Sequence, residues 1–257
     1  LGEHLLQVLL LPLVPAAHAW MFRHPRLGRA IQNLGGIGNV TYLPPGSGLD
    51  GVIAFDTGPG NMLVDALVRR LTGGRQWFDV DGRRAARGRI DDALVREWLR
   101  HPYFRRRPPK STGRELFGSM YVDAMLADGR RRRLTEDDLL ATATALTAAT
   151  CADAYRRFLA PRGPLAEVWV CGGGSGNPTL LAMLRQRLPG ITVGTSDALG
   201  MPSRAVEAVA FALLAAATAL GLPGNVPAAT GSTRPLVLGK IVPGENYDRV
   251  RLRPRPR

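Results

Sequence analysis

The segment of this chain best suited to chemistry begins with an acidic residue after an apolar stretch. Residues 52–55 are apolar, and Asp56, Gly58 and Gly60 follow before a helical pattern that starts after Asn61. A carboxylate beside backbone N–H donors at a helix N-terminus suits a magnesium-bound phosphate, because the helix dipole favours anions there. Alternatively, Asp56 caps its own turn. We expect Asn61 to cap the helix.

A second glycine-rich segment, residues 33–39, could also bind an anion through its backbone. It begins with Asn33 and places Gly35, Gly36 and Gly38 at a turn between two apolar stretches. Glycines at positive φ would let N–H groups converge on an anion. A purely structural hairpin turn explains the same residues, so both interpretations stay open.

The third segment, residues 172–177, follows another apolar stretch. Gly172, Gly173 and Gly174 carry no side chains, so a flat ring could lie against the backbone. Asn177 either caps the next helix or contacts a nucleotide. Phosphate-loop, serine-elbow and paired-cysteine motifs of other enzyme classes do not occur in the sequence.

The apolar pattern predicts the elements that position these loops. The predicted strands are a hairpin and a third strand within residues 31–56, then residues 167–171 and 191–194. The predicted helices are residues 62–71, 91–99, 113–126, 135–159, 177–188 and 203–220, with a loop at 102–110 and Thr135 as a cap. Three strands, then helices, then alternating strand and helix is the α/β layout of one lobe of the actin-like, ribonuclease-H-like fold.

The charge of the chain is strongly positive but does not indicate a nucleic-acid partner. The net charge is +13, yet the chain has only two lysines, Lys110 and Lys240. The arginines are spread along the chain and do not alternate with aromatic residues, so the stacking surface of a single-strand binder is missing. The densest basic runs, residues 105–107 and 130–133, are interpreted as solvated loops.

Cysteine and histidine usage points to a reducing compartment and to no metal site built from these residue types. Cys151 and Cys171 lack paired spacing and are interpreted as buried free thiols. Residues 5–19 resemble an apolar signal core, but they lack a basic flank and are too short to span a bilayer. We therefore expect a cytoplasmic protein without a membrane partner. Separately, we expect residues 236–257 to form a loose tail.

Together, the motifs resemble the anhydro-N-acetylmuramic acid kinase family. Four family motifs occur in order, at residues 33–39, 56–61, 109–115 (Pro-Lys-Ser-Thr-Gly-Arg-Glu) and 172–177. Shorter matches occur at residues 78–82, 207–212 and 221–225. The resemblance implies ATP-dependent opening of 1,6-anhydro-N-acetylmuramic acid with phosphorylation of its 6-oxygen, giving N-acetylmuramate 6-phosphate in peptidoglycan recycling. It implies ATP and Mg²⁺ as cofactors.

The resemblance also assigns residues to the ligands. The implied phosphate and magnesium contacts are Asn33, Gly35, Gly36, Asp56, Gly58, Gly60 and Asn61, with Asp56 as the metal ligand. The implied adenosine contacts are Gly172, Gly173, Gly174 and Asn177. Glu207 would reach a sugar hydroxyl, unless it satisfies a neighbouring helix. Lys110 and Arg114 would contact either a ligand or a second lobe.

The sequence departs from the family pattern in one respect. The family carries an N-terminal lobe with a Gly-Thr-Ser-x-Asp-Gly loop and an aspartate base for the attacking water, and this sequence contains neither motif. We therefore expect residues 1–30 to be a remnant of that region, residues 31–245 to form the actin-like C-terminal lobe, and residues 246–257 to be a basic tail.

Three further expectations follow from the same departure and resemblance. No catalytic residue is expected within the chain, and the chain alone is expected to be inactive or nearly so. The alternative is a non-catalytic nucleotide-binding module. A homodimer is expected from the resemblance alone.

Overall fold

Five strands form one mixed sheet in the computed structural model, which describes residues 13–245. The strands are β1 (Arg29–Leu34), β2 (Ile37–Leu43), β3 (Ile53–Pro59), β4 (Glu167–Cys171) and β5 (Thr192–Thr195). Their order is β3-β2-β1-β4-β5. The first three strands pair antiparallel, whereas β4 and β5 run parallel to β1 through helical crossovers. The predicted α/β class, the hairpin and the later strand–helix alternation are confirmed.

Helices occupy most of the remaining chain. They are α1 (Pro15–Phe22), α2 (Met62–Leu71), α3 (Arg83–Arg87), α4 (Asp92–Trp98), α5 (Pro102–Arg105), α6 (Arg114–Phe117), α7 (Ser119–Arg131), α8 (Glu136–Ala154), α9 (Pro178–Arg187), α10 (Val206–Ala219) and α11 (Pro227–Thr230). The single helix predicted over residues 113–126 was wrong, because Gly118 adopts an extended conformation and separates α6 from α7. The predicted loop at 102–110 contains the short helix α5.

Helix α8 is the centre of the fold. Its predicted cap is confirmed: the Thr135 hydroxyl accepts from the Asp138 N–H at 3.1 Å, and the Asp138 carboxylate accepts from the Thr135 N–H at 3.2 Å. Every residue from Asp138 to Ala152 is buried. A helix that is buried on all sides needs neighbours all round, and α8 lies between the sheet and helices α2, α3, α4 and α9.

The two faces of the sheet are covered by different helices. Leu34, Val40 and Phe55 pack towards α8 and α9. Ile31 and Ala54 point the other way, into a cluster with residues of α1, α10 and α11. This division follows from the alternation of side chains along a strand. Polar side chains on the second face therefore lie near α1 and α10.

One basic run was wrongly interpreted as a loop. Arg130 and Arg131 form the last turn of α7, and Arg132 caps its end. Arg131 pairs with Asp128 at 2.8 Å, and Arg132 pairs with Glu97 at 2.7 Å. Exposed ion pairs of this kind contribute about 0–1 kcal/mol each. The run is therefore a charged helix end that is partly neutralised by acidic neighbours.

The predicted loose tail begins later than residue 236. The Leu236 carbonyl accepts from the Gly224 N–H at 3.0 Å, and the Leu236 N–H donates to the Asn225 side chain at 2.6 Å. The predicted basic tail at 246–257 and the first part of the predicted remnant, residues 1–12, lie outside the described residues. Within residues 13–245, no helix is both long and apolar enough to cross a membrane.

Candidate functional site

A row of polar side chains crosses the sheet at one end. Asp56 of β3 is the register partner of Asn39 in β2, and Asn39 is the partner of Asn33 in β1. Asn33 in turn lies opposite Cys171 of β4. All four residues line one cavity beside α1 and α10. The sheet register therefore brings together residues that are far apart in sequence.

The Asp56 carboxylate is held by the segment that precedes α6. Its Oδ2 accepts from the Ser111 hydroxyl at 2.8 Å and from the Thr112 N–H at 2.9 Å. Its backbone N–H donates to the Lys110 carbonyl at 3.1 Å. No hydrogen bond within residues 13–245 engages Oδ1, so one carboxylate oxygen is available towards the cavity.

Burial changes the acidity of Asp56. Its side chain is 7% exposed, and this burial raises the pKa of the carboxyl to about 6, although the hydrogen bonds from Thr112 and Ser111 oppose the shift. The carboxyl is therefore ionised at neutral pH, but burying this charge makes folding less favourable in free energy. A cation in the cavity would reduce that cost, because opposite charges stabilise the ionised form.

Lys110 lies inside the protein. Its ammonium is 4.6 Å from the centre of the Tyr103 ring and 4.9 Å from that of Phe158, and it donates to the Tyr103 carbonyl at 3.4 Å. Burial lowers its pKa to about 8. The Tyr103 hydroxyl also donates to the Asp56 carbonyl at 2.8 Å. Lys110 and Tyr103 thus anchor the segment that orients Asp56.

The first glycine loop was predicted over residues 56–61, but β3 continues past Asp56 to Pro59, and only Gly60 and Asn61 connect it to α2. This connection is bonded to the β1–β2 hairpin. The Gly36 carbonyl accepts from the N–H groups of Gly60 and Met62, and the Gly35 carbonyl accepts from the Asn61 N–H at 2.8 Å. The predicted cluster of free donors was therefore wrong for these three groups. Asn61 also does not cap α2, because its side chain donates to the Leu34 carbonyl at 3.2 Å.

Gly60, and not Gly35 or Gly36 of the hairpin, permits the close approach of the two backbones. Gly35, Gly36 and Gly38 are not at positive φ, so the predicted left-handed turn was wrong. A Cβ on Gly60 would instead collide with the Gly35 carbonyl oxygen. The Thr147 hydroxyl of α8 donates to the Gly60 carbonyl at 3.0 Å and so holds the loop against α8.

The second glycine loop, residues 172–177, has a different conformation. Gly172 has φ +78°, and a Cβ there would collide with the Asn33 side chain. The N–H of Gly173 makes no hydrogen bond with residues 13–245. Asn177 accepts from the Leu180 N–H at 3.0 Å, so the capping interpretation of this residue is confirmed. Gly174 and Ser175 in the middle of this loop are buried, whereas Gly173 and Gly176 are exposed.

Two clefts meet beside the second loop. The α2 cleft has a volume of about 280 Å³ and is lined by Gly60, Asn61, Val64, Asp65, Phe78, Asp79, Asp81, Thr144, Thr147, Gly173, Gly176, Asn177, Leu180 and Arg204. The α10 cleft has a volume of about 240 Å³ and is lined by Leu13, Val14, His18, Asn33, Asn39, Asp56, Cys171, Gly172, Ser203, Arg204, Val206, Glu207 and Phe211. Arg204 is exposed and lines both clefts.

The predicted site residues divide between these clefts. Four lie in the α2 cleft: Gly60, Asn61, Gly173 and Asn177. Four others lie in the α10 cleft: Asn33, Asp56, Gly172 and Glu207. The remaining glycines line neither cleft: Gly35, Gly36, Gly58 and Gly174. Gly58 is buried at φ +143° against Phe104, whereas Gly36 and Arg114 line a separate surface cavity.

Several cleft residues were missed from the sequence. His18 lines the α10 cleft, and its Nδ1 is 2.8 Å from the Thr41 hydroxyl oxygen. Burial lowers the His18 pKa to about 4, so the ring is neutral at physiological pH. Arg204 and Asp65 were also missed. The helical spacing offered one clue, because Asp65 lies one turn after Asn61 on α2.

The donor set near Asp56 fits a magnesium ion that is shared with a phosphate ligand. Within residues 13–245, no group of three or more His, Cys, Asp or Glu side chains could hold a metal by itself. Mg²⁺ commonly binds through one or two carboxylates and keeps water and phosphate oxygens as its other ligands. The Oδ1 of Asp56, which accepts no hydrogen bond from residues 13–245, suits that mode, and Asn33 and Asn39 line the same cavity.

Known proteins resemble this chain over most of its length. The family model "Anhydro-N-acetylmuramic acid kinase" matches residues 11–244. The anhydro-N-acetylmuramic acid kinase of Caldanaerobacter subterraneus is 46% identical over 230 residues, which are 90% of this chain and 58% of that protein. The Streptomyces coelicolor enzyme of that name is 50% identical over 215 residues, which are 84% of this chain and 52% of that protein.

A solved structure shows a more distant likeness. The activator of the 2-hydroxyisocaproyl-CoA dehydratase from Clostridium difficile with bound ADPNP has a TM-score of 0.45 and 14% sequence identity. That likeness covers 78% of this chain and 64% of that chain. The chain spans about three fifths of the length of the curated relatives it matches.

Proposed function

This chain belongs to the anhydro-N-acetylmuramic acid kinase family, and we propose that it forms the ATP-binding wall and one flank of the sugar site in the kinase reaction. The observation that carries the proposal is the meeting of the two clefts at Gly172, Gly173 and Arg204. A nucleotide in one cleft would direct its phosphates towards the other, where Asp56 and Glu207 lie. The proposed activity is ring opening of 1,6-anhydro-N-acetylmuramic acid with phosphorylation of its 6-oxygen.

Adenosine is proposed to occupy the α2 cleft. Gly173 is exposed, and its N–H group is free of hydrogen bonds with residues 13–245. Whereas Gly172 lines the α10 cleft and Gly174 lines neither cleft, Gly173 lines the α2 cleft and presents no side chain to a flat base. Asn177 borders the same space while its side chain caps α9. Gly60 and Asn61 lie on the opposite wall, at the start of α2.

The phosphates and magnesium are proposed to lie on the Asp56 side of the junction. Bound Mg²⁺ would neutralise charge on the phosphate oxygens. Asp56 would hold the ion through its free Oδ1, while Ser111 and Thr112 fix Oδ2. Gly35, Gly36 and Gly58 are proposed to act indirectly, because their backbone holds the first loop in place.

The sugar is proposed to contact the α10 cleft. Glu207 is exposed at the start of α10, on the same cleft as Asp56. A carboxylate there can accept a hydrogen bond from a sugar hydroxyl. In the reaction, water adds to the anomeric carbon, the bond from that carbon to the 6-oxygen breaks, and the 6-oxygen takes the γ-phosphoryl group from ATP, which leaves ADP.

We assign no catalytic residue within residues 13–245. Phosphoryl transfer depends mainly on positioning and charge stabilisation, so it needs the phosphates enclosed from more than one side. The two clefts form one wall. The 257-residue chain alone is therefore proposed to bind ATP but to phosphorylate the sugar several orders of magnitude more slowly than a longer relative. Its buried free thiols support a reducing, cytoplasmic location.

The test is an assay of the purified chain with ATP, Mg²⁺ and 1,6-anhydro-N-acetylmuramic acid, with the Streptomyces coelicolor relative run in parallel. Mass spectrometry would detect the phosphorylated sugar. Turnover equal to that of the relative would contradict the low-activity proposal. ATP binding without any sugar binding, measured by calorimetry, would favour the non-catalytic module. Failure to bind ATP would contradict the proposed function itself.

A further inference from the structure

Asp65 is an acidic residue that lines the α2 cleft and also the surface cavity beside Gly36 and Arg114. It lies in the first turn of α2, one turn after Asn61, and it is partly buried. Among residues 13–245, its carboxylate makes neither a hydrogen bond nor an ion pair. The positive charge of Arg69, one helical turn later, favours the ionised form of Asp65, although the Arg69 guanidinium also lies 5.6 Å from the centre of the Trp77 ring.

The other acidic residues of the cleft are already engaged. The Asp79 carboxylate accepts from the N–H groups of Arg84 and Ala85, both at 2.9 Å. Asp81 pairs with Arg83 at 3.0 Å. Both therefore have a structural role that explains their presence. Asp65 differs from them, since only the helix N-terminus and the charge of Arg69 favour its ionised form, and its side chain makes no hydrogen bond or ion pair with residues 13–245.

An unpartnered carboxylate in a partly buried position has an energetic cost. Burial raises the pKa of Asp65 to about 6, so the group is still ionised at neutral pH. Buried polar groups are normally hydrogen-bonded, and a charged group left without partners is unfavourable. A ligand that donates hydrogen bonds to Asp65 would remove this cost.

The chemistry of the group limits what that ligand can be. An ionised carboxylate only accepts hydrogen bonds, and it repels phosphate. The vicinal hydroxyls of a ribose can both donate to one carboxylate. In a nucleotide the ribose lies between the base and the phosphates. Asp65 of α2 lines the same cleft as Gly173 and Asn177, and it lies one turn after Asn61.

We propose that Asp65 accepts hydrogen bonds from the ribose hydroxyls of the bound nucleotide and makes the α2 cleft selective for ribonucleotides over deoxyribonucleotides. This inference rests on the proposed function, which places adenosine in the same cleft. It adds a specificity-determining residue that lies outside the glycine loops. The exposed Asp123 of α7 pairs with Arg70 at 2.9 Å outside the cleft and provides a matched control.

The experiment is calorimetric titration of the full chain with ATP, 2′-deoxy-ATP and 3′-deoxy-ATP, in the presence of Mg²⁺. Wild-type protein is expected to bind ATP roughly tenfold more tightly than either deoxy analogue, as suits hydrogen bonds to a charged acceptor. Asp65→Ala is expected to weaken ATP binding most and each analogue less, since each analogue keeps one hydroxyl, so that the variant no longer prefers ATP. Asp123→Ala is expected to behave as wild type.

The outcomes separate this inference from the proposed function. Measurable affinity of Asp65→Ala for the deoxy analogues would show that the variant is folded. If that variant still preferred ATP as strongly as wild type does, the assignment of Asp65 would be overturned. A wild-type chain that bound all three nucleotides equally would overturn it without any variant. A wild-type chain that bound none of them would overturn the proposed function as well.

Discussion

The loop between β3 and α2 donates its N–H groups to the β1–β2 hairpin, whereas the loop between β4 and α9 keeps the N–H of Gly173 free of bonds to the described residues. Both are glycine-rich loops between a strand and a helix, and both contain asparagine at the helix start. In the first, Asn61 bonds the Leu34 carbonyl; in the second, Asn177 caps its helix. The same sequence pattern therefore produces one loop that is bonded to its neighbour and one that is open to a ligand.

This difference assigns separate tasks to the two loops. The first loop is a rigid support, and the functional group beside it is the Asp56 carboxylate of β3. The second loop has no charged side chain, and its functional group is exposed backbone. An anion site at a helix N-terminus requires free N–H groups. At α2, the N–H of Met62 already donates to the Gly36 carbonyl.

The largest predicted effect compares one glycine from each loop. Gly60→Ala would push a Cβ into the Gly35 carbonyl oxygen, so we expect a loss of about 3 kcal/mol in the free energy of unfolding. At Gly173, the nearest atom to an added Cβ is the Asn61 amide nitrogen at 3.6 Å, so Gly173→Ala should change stability by less than about 0.5 kcal/mol. Urea unfolding of both variants measures the difference, and equal losses would contradict the assignment of a rigid and an open loop.

An intermediate effect concerns the charge of Asp56. The folded pKa of about 6 lies above the unfolded value of about 4, so the folded state binds the proton more tightly. Ionised Asp56 therefore destabilises the fold above pH 6, and this penalty disappears as the pH falls from 6 to 4. Asp56→Asn should raise stability at pH 7 by on the order of 2 kcal/mol and have little effect near pH 4.

Thermal unfolding of wild type and Asp56→Asn at pH 7 and pH 4 measures whether the ionised carboxylate lowers or raises stability. A variant that is less stable than wild type at pH 7 would show that the carboxylate stabilises the fold. Such a result would mean that Asp56 is a structural cap, which is the alternative left open by the sequence.

The smallest predicted effect tests the two asparagines. Asn177→Ala should cost about 1 kcal/mol, whereas Asn177→Ser should cost almost nothing, because serine also caps helices well. At position 61, serine should be no better than alanine, since Asn61 bonds the Leu34 carbonyl and does not cap α2. Urea unfolding of the alanine and serine variants at positions 177 and 61 measures these differences. Rescue by serine at position 61 would indicate a capping role there.

The sequence predicted the elements better than it predicted the contacts of the loops. The strands and α8 with its Thr135 cap follow from local patterns of apolar and capping residues, whereas the extension of β3 past Asp56 to Pro59 does not. The bonds from residues 60–62 to the hairpin do not, because they join segments that are distant in sequence. The row from Asp56 to Cys171 depends on strand register in the same way. His18, Asp65 and Arg204 were missed because only the packing of helices α1, α2 and α10 brings them to the clefts.

We propose that adenosine binds in the α2 cleft and that the phosphates and Mg²⁺ bind beside Asp56. The most direct test is to titrate wild type and Asp56→Asn with adenosine and with ATP, each with and without Mg²⁺. We predict that wild type binds both, that Mg²⁺ strengthens only ATP binding, and that Asp56→Asn loses this strengthening while its affinity for adenosine is unchanged. Equal weakening of adenosine and ATP binding in the variant, or an Mg²⁺ effect that survives the substitution, would contradict the placement of phosphate and metal beside Asp56.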